Sequence, residues 1–242
     1  MTALTPQQIL QLWADYAGAL PIDRTLASIA AALAPEQAPL LADLPLGVRE
    51  RLAISVRSRT FGDDWQGIAL CPGCRTPHEI APPIDELVSD VEPSEPVLLR
   101  SGDYELKIRA INSRDQAEVA SSGSAEQGAR LLLERCVLSA RDASGPVAVA
   151  TLPASVVAEV EQRVAALDPG ADTRLQLTCS DCETVWDVAF DAGEFFWREI
   201  ATYAQRLLRQ VHVLASAYGW READVLALSP TRRQTYLELS RQ

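Results

Sequence analysis

Residues 70–74 read Leu-Cys-Pro-Gly-Cys and residues 179–182 read Cys-Ser-Asp-Cys, and these two stretches decide the fold predicted for this chain of 242 residues. Each holds two cysteines separated by two residues, and each lies between segments whose apolar residues alternate as in a strand. Structural zinc takes four tetrahedral ligands, and this gap lets both sulfurs of one turn reach the ion at about 2.3 Å. We therefore predict one structural zinc ion bound by Cys71, Cys74, Cys179 and Cys182, with Pro72-Gly73 forming the first tight turn.

The two cysteine pairs are much farther apart in sequence than in a compact zinc ribbon. The 104 residues between Cys74 and Cys179 compare with about 15–20 in the usual spacing. Closing so long a loop costs only about 4 kcal/mol of chain entropy, whereas a closed thiolate site contributes about 10–16 kcal/mol. The spacing therefore predicts a split zinc ribbon, in which residues 97–170 form an inserted hairpin-and-helix unit.

The thiols have two other possible states. Either pair alone is a possible redox dithiol, although such pairs usually lie at a helix N-terminus, and disulfides are disfavoured in a chain that shows no secretion signal. His78 follows Cys74 by four residues and is a possible replacement ligand, but four cysteines already fill the site, so we interpret it as a surface or strand histidine. Cys136 falls on an apolar helical stripe and is predicted to be core packing.

The remaining patterns are mainly helical. Capping residues and apolar periodicity predict helices from Thr5, over 26–33, 46–59, from Ser124 through Val137, over 153–167, from Asp191 to Gly219, over 222–228 and from Ser229 to about Leu239. A hairpin is predicted from 97–100 and 104–110 around Ser101-Gly102-Asp103. Prolines predict a linker over 35–45 and a loop over 81–96.

These elements predict an α+β fold that is mainly helical, with three parts. Residues 1–45 form an N-terminal helical segment, residues 46–190 form the split zinc-ribbon domain with its insertion, and residues 191–242 form a C-terminal helical segment. The soft boundary near Pro45 follows from the proline-rich linker.

Charge and hydropathy restrict the partners. The chain carries 33 acidic and 22 basic residues, so its net charge of −11 disfavours binding to nucleic acid. The one local basic stretch, Arg49, Arg51, Arg57 and Arg59, is interpreted as the solvated side of a helix rather than a phosphate-binding face. The sequence shows neither a membrane-spanning apolar run nor a secretory signal, which predicts a cytoplasmic protein that contacts no membrane.

Catalytic patterns are absent from the sequence. It contains two histidines, His78 and His212, and neither a phosphate-binding glycine loop nor a Gly-x-Ser-x-Gly turn. A zinc ion held by four thiolates has no open position for water or substrate. We therefore expect a protein that is not an enzyme.

Several stretches together resemble a known family. They are Leu-Cys-Pro-Gly-Cys at 70–74, Leu-Leu-Glu-Arg-Cys-Val at 132–137, Leu-Pro at 152–153, Asp-Pro-Gly-Ala at 168–171, Cys-Ser-Asp-Cys at 179–182, Phe-Phe-Trp-Arg-Glu-Ile at 195–200, Val-His-Val-Leu-Ala-Ser-Ala-Tyr-Gly-Trp at 211–220 and Leu-Ser-Pro-Thr-Arg-Arg-Gln-Thr-Tyr-Leu at 228–237. This order resembles the baseplate proteins of contractile phage tails and related injection particles, often called the T4-type baseplate hub assembly chaperone. The resemblance covers about four fifths of the chain and leaves out the first 45 residues. One departure is Glu183, where such knuckles often have glycine.

The resemblance implies a structural or assembly role in a baseplate, with other baseplate or tail proteins as partners and possible incorporation into the particle. Aromatic residues and arginine dominate interface hot spots. The candidate partner-binding residues are therefore Trp197, Tyr218, Trp220, Arg232, Arg233 and Tyr236. Trp220 and Tyr236 would serve equally well as core lids, and Arg232 and Arg233 could equally pair with local acids on the surface. A homo-oligomer formed through the long C-terminal helix is also possible. The alternatives are a zinc-ribbon regulator or nucleic-acid adaptor, and a thiol oxidoreductase.

Overall fold

The computed structural model describes residues 1–81, 84 and 96–240, and has a mixed α+β fold in which helix predominates, as predicted. Its helices are α1 Pro6–Tyr16, α2 Pro21–Ala30, α3 Leu46–Phe61, α4 Ser113–Ala120, α5 Ala125–Cys136, α6 Ala154–Leu167, α7 Ala192–Tyr218, α8 Glu222–Ala227 and α9 Pro230–Leu239. Its strands are β1 Gly67–Leu70, β2 Pro77–Ile80, β3 Val97–Ser101, β4 Tyr104–Ile108, β5 Val137–Asp142, β6 Gly145–Pro146, β7 Arg174–Thr178 and β8 Val185–Ala189.

The strands of the described residues form three antiparallel sheets. β1 pairs with β2, β7 pairs with β8, and the larger sheet has the order β3-β4-β5-β6. The predicted hairpin is confirmed as β3 and β4, and Ser101 pairs with Tyr104 across a two-residue turn. The turn needs glycine because Gly102 has φ 56°, in the left-handed region. The predicted loop over 81–96 lies almost entirely outside the described residues.

Helix α7 is the longest helix of the described residues and organises the first core. Asp191 caps its start by accepting a hydrogen bond from the Glu194 amide, and Gly219 ends it in the left-handed conformation with φ 68°, as predicted. Helices α1, α2 and α3 pack along its N-terminal half. The buried residues of this core include Ile9, Leu12, Val56, Phe196, Ile200 and Ala204.

The proline-rich stretch before Pro45 is more structured than a linker. Residues Ala38–Asp43 form a 3₁₀ helix that buries Leu41, and Pro45 makes an isolated bridge to Asn112. Core contacts therefore join residues 1–45 to α3 and α7 across the predicted boundary.

A second core lies under the larger sheet. Leu106 and Ile108 of β4 pack against Val156, Val160 and Val164 of α6. Cys136 is buried in this core, as predicted. The prediction that the helix continues through Val137 was wrong, because α5 ends at Cys136 and Val137 begins β5.

The interpretation of the α3 arginines as a solvated face was wrong for two of them. Arg49 and Arg57 are 5% and 2% exposed. The Arg57 guanidinium donates to both carboxylate oxygens of Glu199 on α7, at 2.7 and 2.5 Å, and to the carbonyl oxygens of Gly62 and Asp64. Arg49 is paired with Glu50 at 2.7 Å. Burial is tolerated because each charge has a carboxylate partner.

The buried carboxylate of Asp115 connects several elements within residues 97–170. Asp115, at the start of α4, is fully buried and accepts hydrogen bonds from both terminal nitrogens of Arg109, at 2.6 and 2.9 Å, and from Nε of Arg135 at 2.6 Å. It also accepts from the Asn112 amide at 3.0 Å, which completes a capping box. One side chain thereby links β4, α4 and α5.

Within the described part of the chain, every helix is too short or too polar to cross a lipid bilayer.

Candidate metal centre

Two hairpins that are far apart in the sequence bring the four predicted cysteines together. β1 leads into Cys71 and β2 leaves the turn that contains Cys74, while β7 leads into Cys179 and β8 leaves the turn that contains Cys182. The four Sγ atoms lie within 4.8 Å of one another. The cysteines are therefore placed to bind one metal ion.

The sulfur separations fit a tetrahedral thiolate site. The Cys71 and Cys182 Sγ atoms are 3.6 Å apart, and those of Cys74 and Cys179 are 3.5 Å apart. Four sulfurs at about 2.3 Å from a central ion lie about 3.8 Å from one another. Each of these two short distances is between a sulfur of the first turn and a sulfur of the second. An ion at the centre would therefore connect the two hairpins.

The two turns repeat one hydrogen-bond pattern, which matches their shared sequence Cys-x-x-Cys-x-Thr. The Cys71 amide donates to the Thr76 carbonyl at 3.0 Å, and the Cys179 amide donates to the Thr184 carbonyl at 2.9 Å. The amide of the residue after the second cysteine donates back to the carbonyl of the first, at 2.9 Å from Arg75 and 3.1 Å from Glu183. The same local sequence thus builds the same cysteine turn twice.

Each turn contributes one buried and one exposed sulfur. Cys71 and Cys179 are buried, whereas Cys74 and Cys182 are exposed. Burial raises the pKa of Cys179 to about 12, and hydrogen bonds from the side chain and backbone of Thr184 lower the pKa of Cys182 to about 6. Hydrogen bonds from Thr76 likewise lower the pKa of Cys74. A bound cation would keep the buried sulfur in its thiolate form, which is the form that binds metal.

The two turns depend on a residue without a side chain at Gly73 and on a left-handed backbone at the residue after each second cysteine. Gly73 is needed because the two turns pack closely: a Cβ there would lie 2.7 Å from Thr184 Oγ1, although the φ of Gly73 is not positive. Arg75 and Glu183 have φ 66° and 59°, a conformation that costs a non-glycine residue about 1–2 kcal/mol. The departure at Glu183 therefore strains the turn without changing its hydrogen bonds.

Replacing Glu183 by glycine is expected to stabilise the protein by about 0.5–1 kcal/mol, because relief of the left-handed strain exceeds the greater chain entropy of glycine. Chemical unfolding of the zinc-loaded protein measures the change. Ser180→Gly is the matched control in the same turn, where φ is not positive, and it should destabilise the protein slightly. Equal effects of the two substitutions would contradict this account.

The sequence did not predict which side chains contact the buried sulfur of Cys179. His78, on β2, places Nε2 3.2 Å from Cys179 Sγ, and its ring contacts Trp186 of β8 at 5.9 Å between centroids. It is a strand histidine, as interpreted, but it touches a ligand from the opposite turn. The available signal was strand alternation, because Thr76 directly precedes β2 and contacts the Cys74 sulfur, and His78 follows it by two residues on the same side.

The candidate partner residues fall into two groups. Tyr218, Trp220 and Tyr236 form a ring cluster with centroids 4.8 to 5.9 Å apart, at the end of α7 where α8 and α9 pack. Arg232 is exposed beside it.

The other two candidates are buried and do not belong to the surface. Trp197 is 5% exposed because it faces the core between α1 and α7, where the Arg24 guanidinium lies 5.4 Å from its ring centroid. Arg233 is 3% exposed, and its terminal nitrogen donates to the Leu228 carbonyl at 3.5 Å.

Comparison with known proteins returned no match to a family model, to a curated protein or to a solved structure.

Proposed function

We propose that the protein is a zinc-containing structural or assembly component of the baseplate of a contractile tail or tail-like injection particle. The observation that carries the metal-binding part of the proposal is the cluster of Cys71, Cys74, Cys179 and Cys182, whose sulfurs lie within 4.8 Å of one another. Four thiolates fill a tetrahedral zinc site and leave no position for a substrate, so the ion acts as a clip. The two hairpins then form a split zinc ribbon.

The choice of zinc follows from the ligands. Soft thiolates select zinc, copper(I) or iron, and a closed four-cysteine site in two short turns is the usual form of structural zinc. In such a site the metal fixes two hairpins whose own sheets have only two strands each, which are marginally stable alone. The metal therefore contributes rigidity, and the protein acts by contact rather than by turnover.

The tail-particle assignment is supported by the resemblance and by the position of the residues that carry it. Stretches 211–220 and 228–237 make up the end of α7, the chain after it and most of α9. Their aromatic residues Tyr218, Trp220 and Tyr236 cluster at the C-terminal end of α7, where Tyr218 is 39% exposed and the other two are half-buried. An exposed tyrosine ring supported by two further aromatic rings is suited to holding a neighbouring protein.

The test is a gene deletion in the source cell, followed by negative-stain electron microscopy of tail particles. We expect the deletion strain to lack complete baseplates, the wild-type gene and Cys136→Ala to restore them, and Cys179→Ser to fail. Complete particles of normal infectivity or injection activity in the deletion strain, or a genome that encodes no sheath, tube or spike protein, would rule out the tail assignment while leaving the metal site intact.

A further inference from the structure

The outer edge of β1 borders a groove that the metal centre does not use. The groove has a volume of about 930 Å³ and lies between β1, the β7–β8 hairpin and one side of α7. All four residues of β1 line it, whereas Ile80 is the one residue of β2 that does. The groove therefore follows the edge of β1 that faces away from β2.

The register of β1 against β2 shows which backbone groups of β1 point outward, away from β2. Cys71 is paired with Thr76 by a hydrogen bond, and the ladder continues through Ala69 opposite His78 and Gly67 opposite Ile80. In an antiparallel pair the residues between such positions direct their N–H and C=O groups to the other side.

Ile68 and Leu70 are those intervening residues. Leu70 lies opposite Pro77, which has no N–H to offer, in agreement with this assignment. Among the described residues, no strand pairs with this edge.

The side chains along the same edge are apolar and exposed. Ile68 is 72% exposed and Leu70 is 55% exposed. Gly67 lies against Phe195 of α7, since a Cβ at this position would be 3.3 Å from the Phe195 ring. An unpaired strand edge next to exposed apolar side chains and a groove is the arrangement that binds an extended peptide by strand addition.

The charges of the groove favour a basic segment. Four carboxylates and three guanidinium groups line the groove, namely Asp64, Asp191, Glu194 and Glu199 against Arg57, Arg198 and Arg206. Arg57 is paired with Glu199 and Arg198 with Glu194 Oε1, and Arg206 lies 4.9 Å from the Tyr203 ring centroid. In contrast, Glu194 Oε2 is buried without a hydrogen-bond donor. The net charge of −11 also opposes pairing of this edge with a second copy of the chain.

We infer that the groove binds an extended segment of a partner protein in which apolar residues alternate with arginine or lysine, and that the segment adds a strand to β1. Its backbone pairs with the N–H and C=O groups of Ile68 and Leu70. A basic side chain of the segment offsets the excess of carboxylates in the wall and supplies a second donor to Glu194, whose Oε1 already accepts from Arg198. The inference rests on the proposed function only in that the protein acts by contact.

The test uses the isolated zinc-loaded chain and a fluorescein-labelled peptide Arg-Val-Arg-Val-Arg-Val-Arg, with binding followed by fluorescence anisotropy. We expect saturable binding that is at least about tenfold weaker for the peptide with glutamate in place of arginine, and for one with proline at its central valine. Hydrogen exchange measured by NMR should slow at the Ile68 and Leu70 amides when the peptide binds.

The decisive variant is Ile68→Pro, which removes an outward N–H without breaking the β1–β2 ladder. It should weaken binding at least about tenfold. Leu98→Pro is the matched control, because Leu98 is 67% exposed at the equivalent outward position of edge strand β3, outside the groove, and it should bind within about twofold of the parent. If a proline variant fails to fold, Ile68→Arg and its control Leu98→Arg give the same comparison of peptide binding. Both of these substitutions keep the backbone N–H.

Four results would overturn the inference: no peptide binding, equal binding by Ile68→Pro and the parent, equal binding of the acidic peptide, or slow exchange at the Ile68 and Leu70 amides before peptide is added. Sedimentation of the parent as a dimer that Ile68→Pro dissociates would assign the edge to a second copy instead. Because the assay measures binding by the isolated chain, its failure is separate from failure of the particle experiment.

Discussion

Replacing Cys179 by serine is expected to abolish stoichiometric zinc binding and to lower the melting temperature by about 10 °C or more. Cys179 is buried and lies 3.5 Å from Cys74 of the opposite turn, so its loss opens both the site and the connection between the hairpins. A closed thiolate site contributes about 10–16 kcal/mol, and each kcal/mol lost lowers the melting temperature of a chain of this size by about 2–4 °C. Elemental analysis and thermal unfolding measure the two effects.

Cys136→Ala is the matched control for this substitution. Cys136 is also buried but belongs to the core under the larger sheet, away from the other four cysteines. Burial raises the pKa of its thiol to about 11, and among the described residues it belongs to no cluster of possible metal ligands. The control should keep one zinc per chain and lose only the stability of a small core cavity. Full zinc occupancy and an unchanged melting temperature in Cys179→Ser would contradict the assignment of Cys179 as a metal ligand.

Replacing Asp115 by alanine should lower the free energy of unfolding at pH 7 by about 3–5 kcal/mol, because it leaves the guanidinium groups of Arg109 and Arg135 without their shared partner. Asp43→Ala is the control, since Asp43 makes a similar contact to Arg114 but both side chains are 55% exposed. An exposed pair contributes less than about 1 kcal/mol. Urea unfolding of the two variants gives the comparison, and equal losses would contradict the assigned role of burial.

The same carboxylate gives the stability a defined pH dependence. Burial by itself raises the pKa of Asp115, but hydrogen bonds from Arg109, the Asn112 amide and Arg135 outweigh it and lower the pKa below the ordinary 3.8. A group whose pKa is lower in the folded state contributes stability above its unfolded pKa, and this contribution disappears as the pH falls through the folded value. The free energy of unfolding should therefore decrease less steeply with falling pH in Asp115→Asn than in the parent, as measured by urea unfolding at a series of acidic pH values.

The sequence predicted the features that are encoded locally. The repeated spacing of Cys71/Cys74 and Cys179/Cys182 identified the metal cluster, and capping residues such as Thr5 and Asp191 placed helix starts within about one residue. A helix cap and each Cys-x-x-Cys turn depend on neighbours a few residues away, and the need of zinc for four ligands is what predicted that the two distant turns meet. These features are therefore visible in a single sequence.

Features that depend on distant partners were missed. Arg57 is buried because Glu199, 142 residues away, reaches its guanidinium. The contact of His78 with Cys179 spans 101 residues. Helix α4 was also missed, because it is short and mostly polar. The Asp115 carboxylate of its capping box is also held by Arg109 and Arg135 from neighbouring elements.

The long separation between the two metal-binding turns has a consequence for synthesis of the protein. The ribosome must add 104 further residues after Cys74 before Cys179 emerges, which takes about 5–20 s at typical elongation rates. During that interval the first pair of thiols has no second pair with which to close the site, and all residues of the larger sheet and its helices are synthesised before Cys179. The middle of the chain is therefore available to fold before the two turns are joined, and conditions that oxidise thiols should lower the yield of newly made protein more than they harm protein that already holds a metal ion.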